Sequence, residues 1–123
     1  MRFQFYNLNP LNKLEQDCVC RAITLATNED YDVILNKLQL VGDLFDCDKL
    51  CVDCYKFLLD NVYNFDRIES YHGHTINEFL KYHSRGVYII RIDRHLTCTI
   101  DGKIYDTWDC SDEIIDIIWT KEK

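Results

Sequence analysis

The chain has 123 residues and a formal net charge of −7 at pH 7, with 21 acidic side chains against 14 basic ones. Nucleic-acid binding depends on clustered Lys and Arg that neutralise phosphates, so this charge argues against a nucleic-acid partner. No apolar run approaches the roughly 18–20 residues of a membrane-spanning helix, which argues against a membrane partner. The hydrophobic fraction of 47% and the scarcity of Gly and Pro predict a single folded domain over residues 1–123.

The seven cysteines and the first residues of the chain predict a cytoplasmic location. An odd number of cysteines is typical of reduced thiols rather than of a disulfide framework. The start of the chain lacks the apolar segment of a signal peptide. We expect some of the thiols to fill the core, since free cysteine is among the most buried residue types.

Two amphipathic helices are predicted to follow an irregular start. Residues 1–16 contain three Asn and one Pro, which interrupt any periodic pattern. From Asp17, a good N-cap residue, apolar residues recur at helical spacing until Asn28. Asp30 is placed to cap a second helix with an apolar stripe, which Gly42 is predicted to end.

A third and a fourth helix are predicted before the strands begin. Either Asp46 or Asp48 can open the third helix, which places several apolar residues along one face. Thr75 and Glu78 match the pattern of a capping box, in which each side chain bonds the backbone N–H of the other residue. Gly86 is predicted to end the fourth helical region, so the helices precede the strands.

The last third of the chain carries strand patterns. Residues 87–92 are apolar and β-branched, as in a central strand, and residues 114–120 supply a last strand. Between them, Asp101 and Gly102 form a strong hairpin signal, since a type I′ turn needs positive φ at both central positions. The predicted fold class is therefore α+β, with N-terminal helices packed on a C-terminal antiparallel sheet of about four strands.

This turn fixes the register of a hairpin that pairs Thr97 with Asp106 and His95 with Trp108. Side chains alternate between the faces of a strand, so His95 and Asp106 share one face. Their backbones are then diagonal neighbours about 7–8 Å apart, a gap that these side chains can close. An imidazole oriented by a carboxylate is half of a catalytic triad. Asp109 is the rival carboxylate, but the alternation places it on the opposite face.

Cys18 is the candidate nucleophile, because it would be the first residue of the first helix. Unpaired backbone N–H groups and the helix dipole favour a thiolate at that position. The carboxylate of Asp17 is expected to oppose this effect, which leaves His95 to complete the activation as a thiolate–imidazolium pair. The amide of Cys18 is placed to hold an oxyanion, with a second donor from the side chain of Asn12 or Gln16.

With these residues in place, the chain resembles the papain-like cysteine peptidase superfamily. The matching elements are NKLEQDC at residues 12–18, His95-Leu-Thr at the start of a strand, and Tyr105-Asp106 on the next strand. The chain looks most like bacteriocin-processing peptidase domains. It is also similar to small phage-encoded proteins that carry Asp-Cys-Val-x-Arg-Ala and His-Leu-Thr…Tyr-Asp-Thr-Trp-Asp, matched here at residues 17–22 and 95–109.

The resemblance implies a thiol hydrolase that cleaves peptide or isopeptide bonds of a protein or peptide substrate without a cofactor. It assigns Cys18 as nucleophile, His95 as general base and then acid, and Asp106 as the residue that orients the imidazole. The superfamily has Gln as oxyanion residue six positions before the cysteine, where this chain has Asn12 with a shorter reach. The alternative is a catalytically silent phage protein of the same fold that binds a host or virion partner.

A second group of candidate residues comprises Cys47, Cys51 and Cys54 together with His72 and His74. Thiolates and imidazoles at short spacings suit a tetrahedral zinc site, which would define a third class, a zinc-stabilised interaction domain. On a helix, however, the three cysteines would share the face that carries the apolar core. Buried filler is therefore the favoured interpretation, and no metal is predicted.

Overall fold

The computed structural model describes residues 2–12 and 17–121. Its α+β class agrees with the prediction. The elements in chain order are β1 (Phe3–Phe5), α1 (Cys18–Thr27), α2 (Tyr31–Phe45), α3 (Val52–Phe57), a π-helical turn (Leu58–Val62), β2 (Asp66–Ile68), α4 (Ile76–Tyr82), β3 (Val87–Ile92), β4 (His95–Ile100), β5 (Lys103–Asp106) and β6 (Ile117–Thr120). Within the described ranges, no helix combines the length and the apolar character needed to cross a membrane.

The strands form one six-stranded sheet in the order β1-β5-β4-β3-β6-β2. β1 runs parallel to β5, and the other neighbours are antiparallel. The four predicted strands, β3 to β6, form and are antiparallel neighbours, but the predicted number is wrong because the sheet has two further strands, one of them parallel to its neighbour. The two missed strands, β1 and β2, lie at the sheet edges and have three residues each, too few to show an alternating pattern. β6 begins at Ile117 rather than at residue 114.

The sheet separates two apolar cores. On one face, α1, α2 and α3 pack against residues that include Ile89, Cys98 and Trp119. On the other face, α4 packs against residues that include Ile90 and Ile118. Consecutive residues of β3 thus point into different cores. This explains why the strand is apolar throughout, since a strand buried on both faces has no polar side.

The boundaries of α1 and the start of α4 agree with the prediction, whereas α4 ends at Tyr82 and not at Gly86. Asp17 holds the N-cap position of α1, and Asn28 ends the helix with a left-handed φ of 61°. At the start of α4, the Glu78 N–H donates to Thr75 Oγ1 at 3.1 Å and the Thr75 N–H donates to Glu78 Oε1 at 2.8 Å. The capping box therefore satisfies two backbone donors that the helix itself leaves open.

The predicted boundaries between α2 and α3 are wrong. α2 passes through Gly42 and ends at Asp46, whose φ of 55° is left-handed. A Cβ at position 42 would lie 2.8 Å from the backbone oxygen of Cys47, so Gly42 permits a close approach of the following loop instead of ending the helix. α3 begins only after Cys51, later than either Asp46 or Asp48, because the intervening residues form this loop.

The hairpin of β4 and β5 forms with the predicted turn and register. Asp101 and Gly102 have φ values of 49° and 81°, both positive as a type I′ turn requires. The antiparallel ladder extends from this turn to the pair formed by Cys98 and Tyr105. The predicted pairs of Thr97 with Asp106 and of His95 with Trp108 are not part of this ladder, since β5 ends at Asp106.

Candidate active site

Cys18, His95 and Asp106 lie at the ends of three elements. Cys18 is the first residue of α1, His95 is the first of β4 and Asp106 is the last of β5. Because β4 and β5 are antiparallel neighbours, the start of one strand lies beside the end of the other. Cys18 and His95 line one cleft at this end of the sheet. Three residues far apart in the sequence are thus brought to one place by the fold.

The imidazole of His95 is bonded to the carboxylate of Asp106, with Nε2 2.6 Å from Oδ2. Asp106 is only 1% exposed, and its Oδ1 accepts a hydrogen bond from the Thr107 N–H at 2.7 Å. Burial alone would raise the pKa of Asp106, but the hydrogen bond and the charge of His95 hold it below its usual range. The carboxylate is therefore ionised. It fixes the ring with Nε2 towards Asp106 and leaves Nδ1 for another partner.

Cys18 is half-buried and lines the same cleft as this imidazole. Burial alone would raise the pKa of the Cys18 thiol, but hydrogen bonds with His95 and the backbone of Leu96 outweigh burial and lower it. Burial alone would lower the pKa of His95, but hydrogen bonds to Asp106 and Cys18 outweigh burial and raise it to about 9. These opposite shifts favour a thiolate–imidazolium pair at neutral pH.

Arg21 is a buried residue of the candidate site that the sequence analysis did not single out. Its Nε lies 2.7 Å from Asp17 Oδ1, and its Nη1 lies 3.1 Å from Asp106 Oδ1. The side chain is 8% exposed, so its charge is compensated by the two carboxylates rather than by water. The i, i+4 spacing of Asp17 and Arg21 is a recognisable helix signal. The contact with Asp106 spans 85 positions and has no local signal.

Asp17 does not act on the helix start as expected. Its carboxylate makes no capping hydrogen bond, because it accepts from Tyr31 Oη at 2.6 Å, Asn9 Nδ2 at 2.9 Å and Arg21 Nε at 2.7 Å. Burial alone would raise the pKa of Asp17, but these bonds lower it. The neighbouring Arg21 compensates the charge of Asp17 and itself lowers the pKa of Cys18, while the expectation that Asp17 opposes the Cys18 thiolate stays a prediction.

A cleft of about 690 Å³ opens beside Cys18 and His95. Apolar residues that include Leu50 and Val52 form part of its lining. Trp108 lines it as well, with its ring centroid 5.1 Å from that of His95. Its indole is 42% exposed, which leaves an aromatic surface available to a bound molecule. The prediction that Trp108 borders the imidazole is confirmed, although the residue lies beyond β5 rather than within it.

The remaining predicted site residues lie elsewhere. Asn12 is exposed, has a φ of 56° and is not among the described residues that line the cleft. Gln16 lies outside the described residues. Asp109 is exposed, and its Oδ1 accepts from the Ser111 N–H at 3.1 Å. The role of Asn12 or Gln16 as a second oxyanion donor therefore stays a prediction, and Asp109 does not make the carboxylate contact to His95.

The predicted cysteine group does not share one helix face. Cys47 lies in the loop before α3 and Cys51 is the N-cap of that helix, while Cys54 lies within it. The sulfur atoms of Cys47 and Cys54 are 3.0 Å apart. His72 and His74 are exposed and make contacts with carboxylates of other elements. The helical prediction for this group is wrong because α3 begins later than expected.

One set of potential metal-ligand atoms occurs among the described residues. The ligand atoms of His95, Asp106 and Cys110 all lie within 4.8 Å of one another. Burial raises the pKa of the Cys110 thiol to about 12. Asp106 already accepts bonds from His95 and Arg21. These partners make the carboxylate better suited to orienting the imidazole than to binding a metal ion.

The chemistry that this arrangement supports is nucleophilic attack on a carbonyl carbon. The lowered pKa of Cys18 favours a thiolate, and the raised pKa of His95 favours an imidazolium that can protonate a leaving group. The first N–H groups of α1 have no partner within the helix, so the amide of Cys18 is available to an oxyanion. Comparison of the chain with protein-family models, curated proteins and solved structures finds no match.

Proposed function

We propose that this protein is a thiol hydrolase that cleaves amide bonds, either in peptides or in isopeptide linkages. Cys18 is the nucleophile, His95 the general base and acid, and Asp106 the orienting carboxylate. The observation that carries the proposal is the 2.6 Å contact between His95 Nε2 and Asp106 Oδ2, because it leaves Nδ1 for the half-buried Cys18. The opposite pKa shifts of the thiol and the imidazole support the same roles.

The reaction proceeds through a thioester. The Cys18 sulfur attacks the carbonyl carbon, and the negative charge moves to the carbonyl oxygen beside the Cys18 amide. The His95 imidazolium donates its proton to the leaving nitrogen as the carbon–nitrogen bond breaks. Neutral His95 then accepts a proton from water, whose oxygen attacks the thioester. The carbon–sulfur bond breaks, the carboxylic acid leaves, and the thiolate–imidazolium pair forms again.

A papain-like relationship remains part of this proposal. The order of Cys18, His95 and Asp106 along the chain, and their places at the starts of a helix and a strand and at the end of the next strand, support it. The seven cysteines are free thiols, which supports action in a reducing cytoplasm, that of the host if the protein is phage-encoded.

The test is hydrolysis of a mixed library of N-acetylated peptide amides, followed as release of new amino groups. We expect the wild type to release amines, Cys18→Ala to release none, and Asp109→Asn, the matched carboxylate control, to keep wild-type activity. Release that survives Cys18→Ala contradicts the proposal. A Cys18 thiol that iodoacetamide alkylates no faster than the buried Cys98 contradicts it as well.

The second candidate function is a non-catalytic protein that binds a host or virion partner. The exposed apolar side chains of α2 favour it, since Leu40 is 68% exposed and Leu44 is 71% exposed. This function needs no activated thiol. The alkylation rate of Cys18 therefore separates the two candidates, with a fast reaction supporting the hydrolase and a slow one supporting the binding protein.

A further inference from the structure

The cleft beside Cys18 is lined by basic rather than acidic side chains, although the whole chain is acidic. Acidic side chains outnumber basic ones by 21 to 14 in the sequence. The described residues that line the cleft include three arginines, Arg21, Arg91 and Arg94, and no Asp or Glu. A cleft with basic side chains raises the local concentration of anionic ligands. The charged side chains of the lining are therefore positive, which suits a ligand with a negative charge.

Two of these arginines have protein partners. Arg21 lies between two buried carboxylates and is part of the support of the catalytic residues. Arg91 forms an ion pair with Asp116, and its Nε donates to Tyr55 Oη at 2.7 Å. The side chain of Arg91 is 27% exposed, so one edge of it still faces solvent. Arg91 can add a second hydrogen bond to a ligand, but its charge is already balanced.

Arg94 is the guanidinium available to a ligand. It is exposed, and it has no ion-pair partner within residues 2–12 and 17–121. It directly precedes His95 in the turn between β3 and β4, and both residues line the cleft. A free positive charge is therefore positioned next to the catalytic imidazole.

The backbone at Arg94 gives an independent sign of function. Its φ of 57° lies in the left-handed region, which Gly and Asn adopt far more readily than Arg. Turns of this length between strands normally place Gly or Asn at such a position. Residues held in unfavourable backbone conformations concentrate at active sites and ligand-binding sites. An arginine here is explained by what its guanidinium binds.

We propose that the cleft selects substrates with a carboxylate next to the scissile amide and that Arg94 binds this carboxylate. Arg91 supplies the second contact, and the exposed ring of Trp108 packs against the apolar part of the substrate. This inference rests on the proposed function. Two sources present the same chemistry, the side chain of an Asp or Glu residue and a free C-terminal carboxylate.

The test compares alkylation of Cys18 by two reagents. Iodoacetate carries a carboxylate, and iodoacetamide carries a neutral carboxamide in its place. In both reactions the thiolate forms a carbon–sulfur bond and iodide leaves. We expect the ratio of the iodoacetate rate to the iodoacetamide rate to fall by about threefold to fivefold in Arg94→Gln, the range of a partly exposed charge contact. Arg85→Gln, an exposed arginine outside the cleft, is the matched control and keeps the wild-type ratio.

The two rates separate failure of this inference from failure of the proposed function. Fast iodoacetamide labelling of Cys18 with the same rate ratio in Arg94→Gln and wild type overturns the carboxylate site and leaves the nucleophile in place. Slow iodoacetamide labelling of Cys18 in the wild type overturns the proposed function itself. A ratio that falls in Arg94→Gln and also falls with rising ionic strength supports the carboxylate site.

Protection of Cys18 from iodoacetamide identifies the source of the carboxylate. N-acetylglutamate α-amide carries only a side-chain carboxylate, and N-acetylglutamine carries only a terminal one. N-acetylglutamine α-amide carries neither and is the neutral control. Protection by the first compound that is lost in Arg94→Gln assigns a side-chain carboxylate, and the same result with the second assigns a C-terminal one. Protection by neither beyond the neutral control overturns the inference.

Discussion

Two half-buried cysteines, Cys18 and Cys47, have opposite chemical surroundings. The neighbours of Cys18 include the imidazole of His95 and the guanidinium of Arg21, and they lower the pKa of its thiol against the effect of burial. The neighbours of Cys47 include further thiols, and its interaction with Cys54 is the main cause that raises its pKa to about 12. Partial exposure alone therefore does not activate a cysteine thiol as a nucleophile. A positively charged partner activates it, because the positive charge stabilises the thiolate.

The largest expected effect comes from removing the buried charge that supports the Cys18 region. Arg21→Met leaves the buried carboxylate of Asp17 without its cation and that of Asp106 with His95 alone, and the three side chains are at most 10% exposed. We expect the free energy of unfolding in urea to fall by about 3–5 kcal/mol.

The matched control is Arg67→Met, which breaks the more exposed ion pair with Asp60. We expect this variant to lose about 1 kcal/mol or less, since water already screens the pair. Equal losses in the two variants would show that the buried network around Arg21 gives no special support to the site.

The next largest effect is expected from removing the imidazole of His95, the partner that Cys18 has and Cys47 lacks. In His95→Ala the thiolate loses its imidazolium, and we expect the iodoacetamide rate of Cys18 at pH 7 to fall by about 10-fold to 100-fold. The rate of Cys47 should not change. His74→Ala removes an exposed imidazole away from the cleft and serves as control. An unchanged rate of Cys18 in His95→Ala would mean that the helix start alone activates the thiol.

A smaller effect is expected when the orienting carboxylate loses its charge. Asp106→Asn keeps the size of the side chain but removes the charge that holds the pKa of His95 at about 9. We expect this pKa, followed by NMR titration of the ring, to fall towards the ordinary value and the alkylation rate of Cys18 to fall by about tenfold. Asp109→Asn should change neither quantity. A His95 titration that is the same in both variants would remove Asp106 from the site.

The parts of the fold that can be predicted from the sequence are those determined by residues close together along the chain. The Asp101-Gly102 turn forms because both residues adopt positive φ, and α1 ends at Asn28 for the same conformational reason. The hairpin register then follows from the turn, and it places His95 beside Asp106. Half of the candidate site is thus determined by about a dozen consecutive residues.

The parts that the sequence does not predict depend on distant contacts. The short strand β1 is defined only by its pairing with β5, about a hundred positions later. Gly42 looks like a helix end, but the close approach of the loop at Cys47 explains it. Arg21 meets Asp106 across 85 positions, and its charge also helps to lower the pKa of Cys18.

The pH dependence of hydrolysis follows from the same pair. Acylation needs the imidazolium form of His95, which is favoured below its raised pKa of about 9 and is lost as the pH rises through that value. We therefore expect the rate of acylation to decline above about pH 9, measured as the burst of amine release. A decline centred on the ordinary imidazole pKa of 6.5 would mean that Asp106 and Cys18 do not stabilise the imidazolium.

The pH dependence of alkylation at each thiol tests the central claim most directly. The iodoacetamide rates of Cys18 and Cys47 are measured by mass spectrometry from about pH 5 to about pH 10, since the rate follows the thiolate fraction. We predict that the rate of Cys18 rises and levels off below the ordinary thiol pKa of 9.0, while that of Cys47 is still rising at the end of the range. Coincident curves for the two cysteines would contradict an activated nucleophile at position 18.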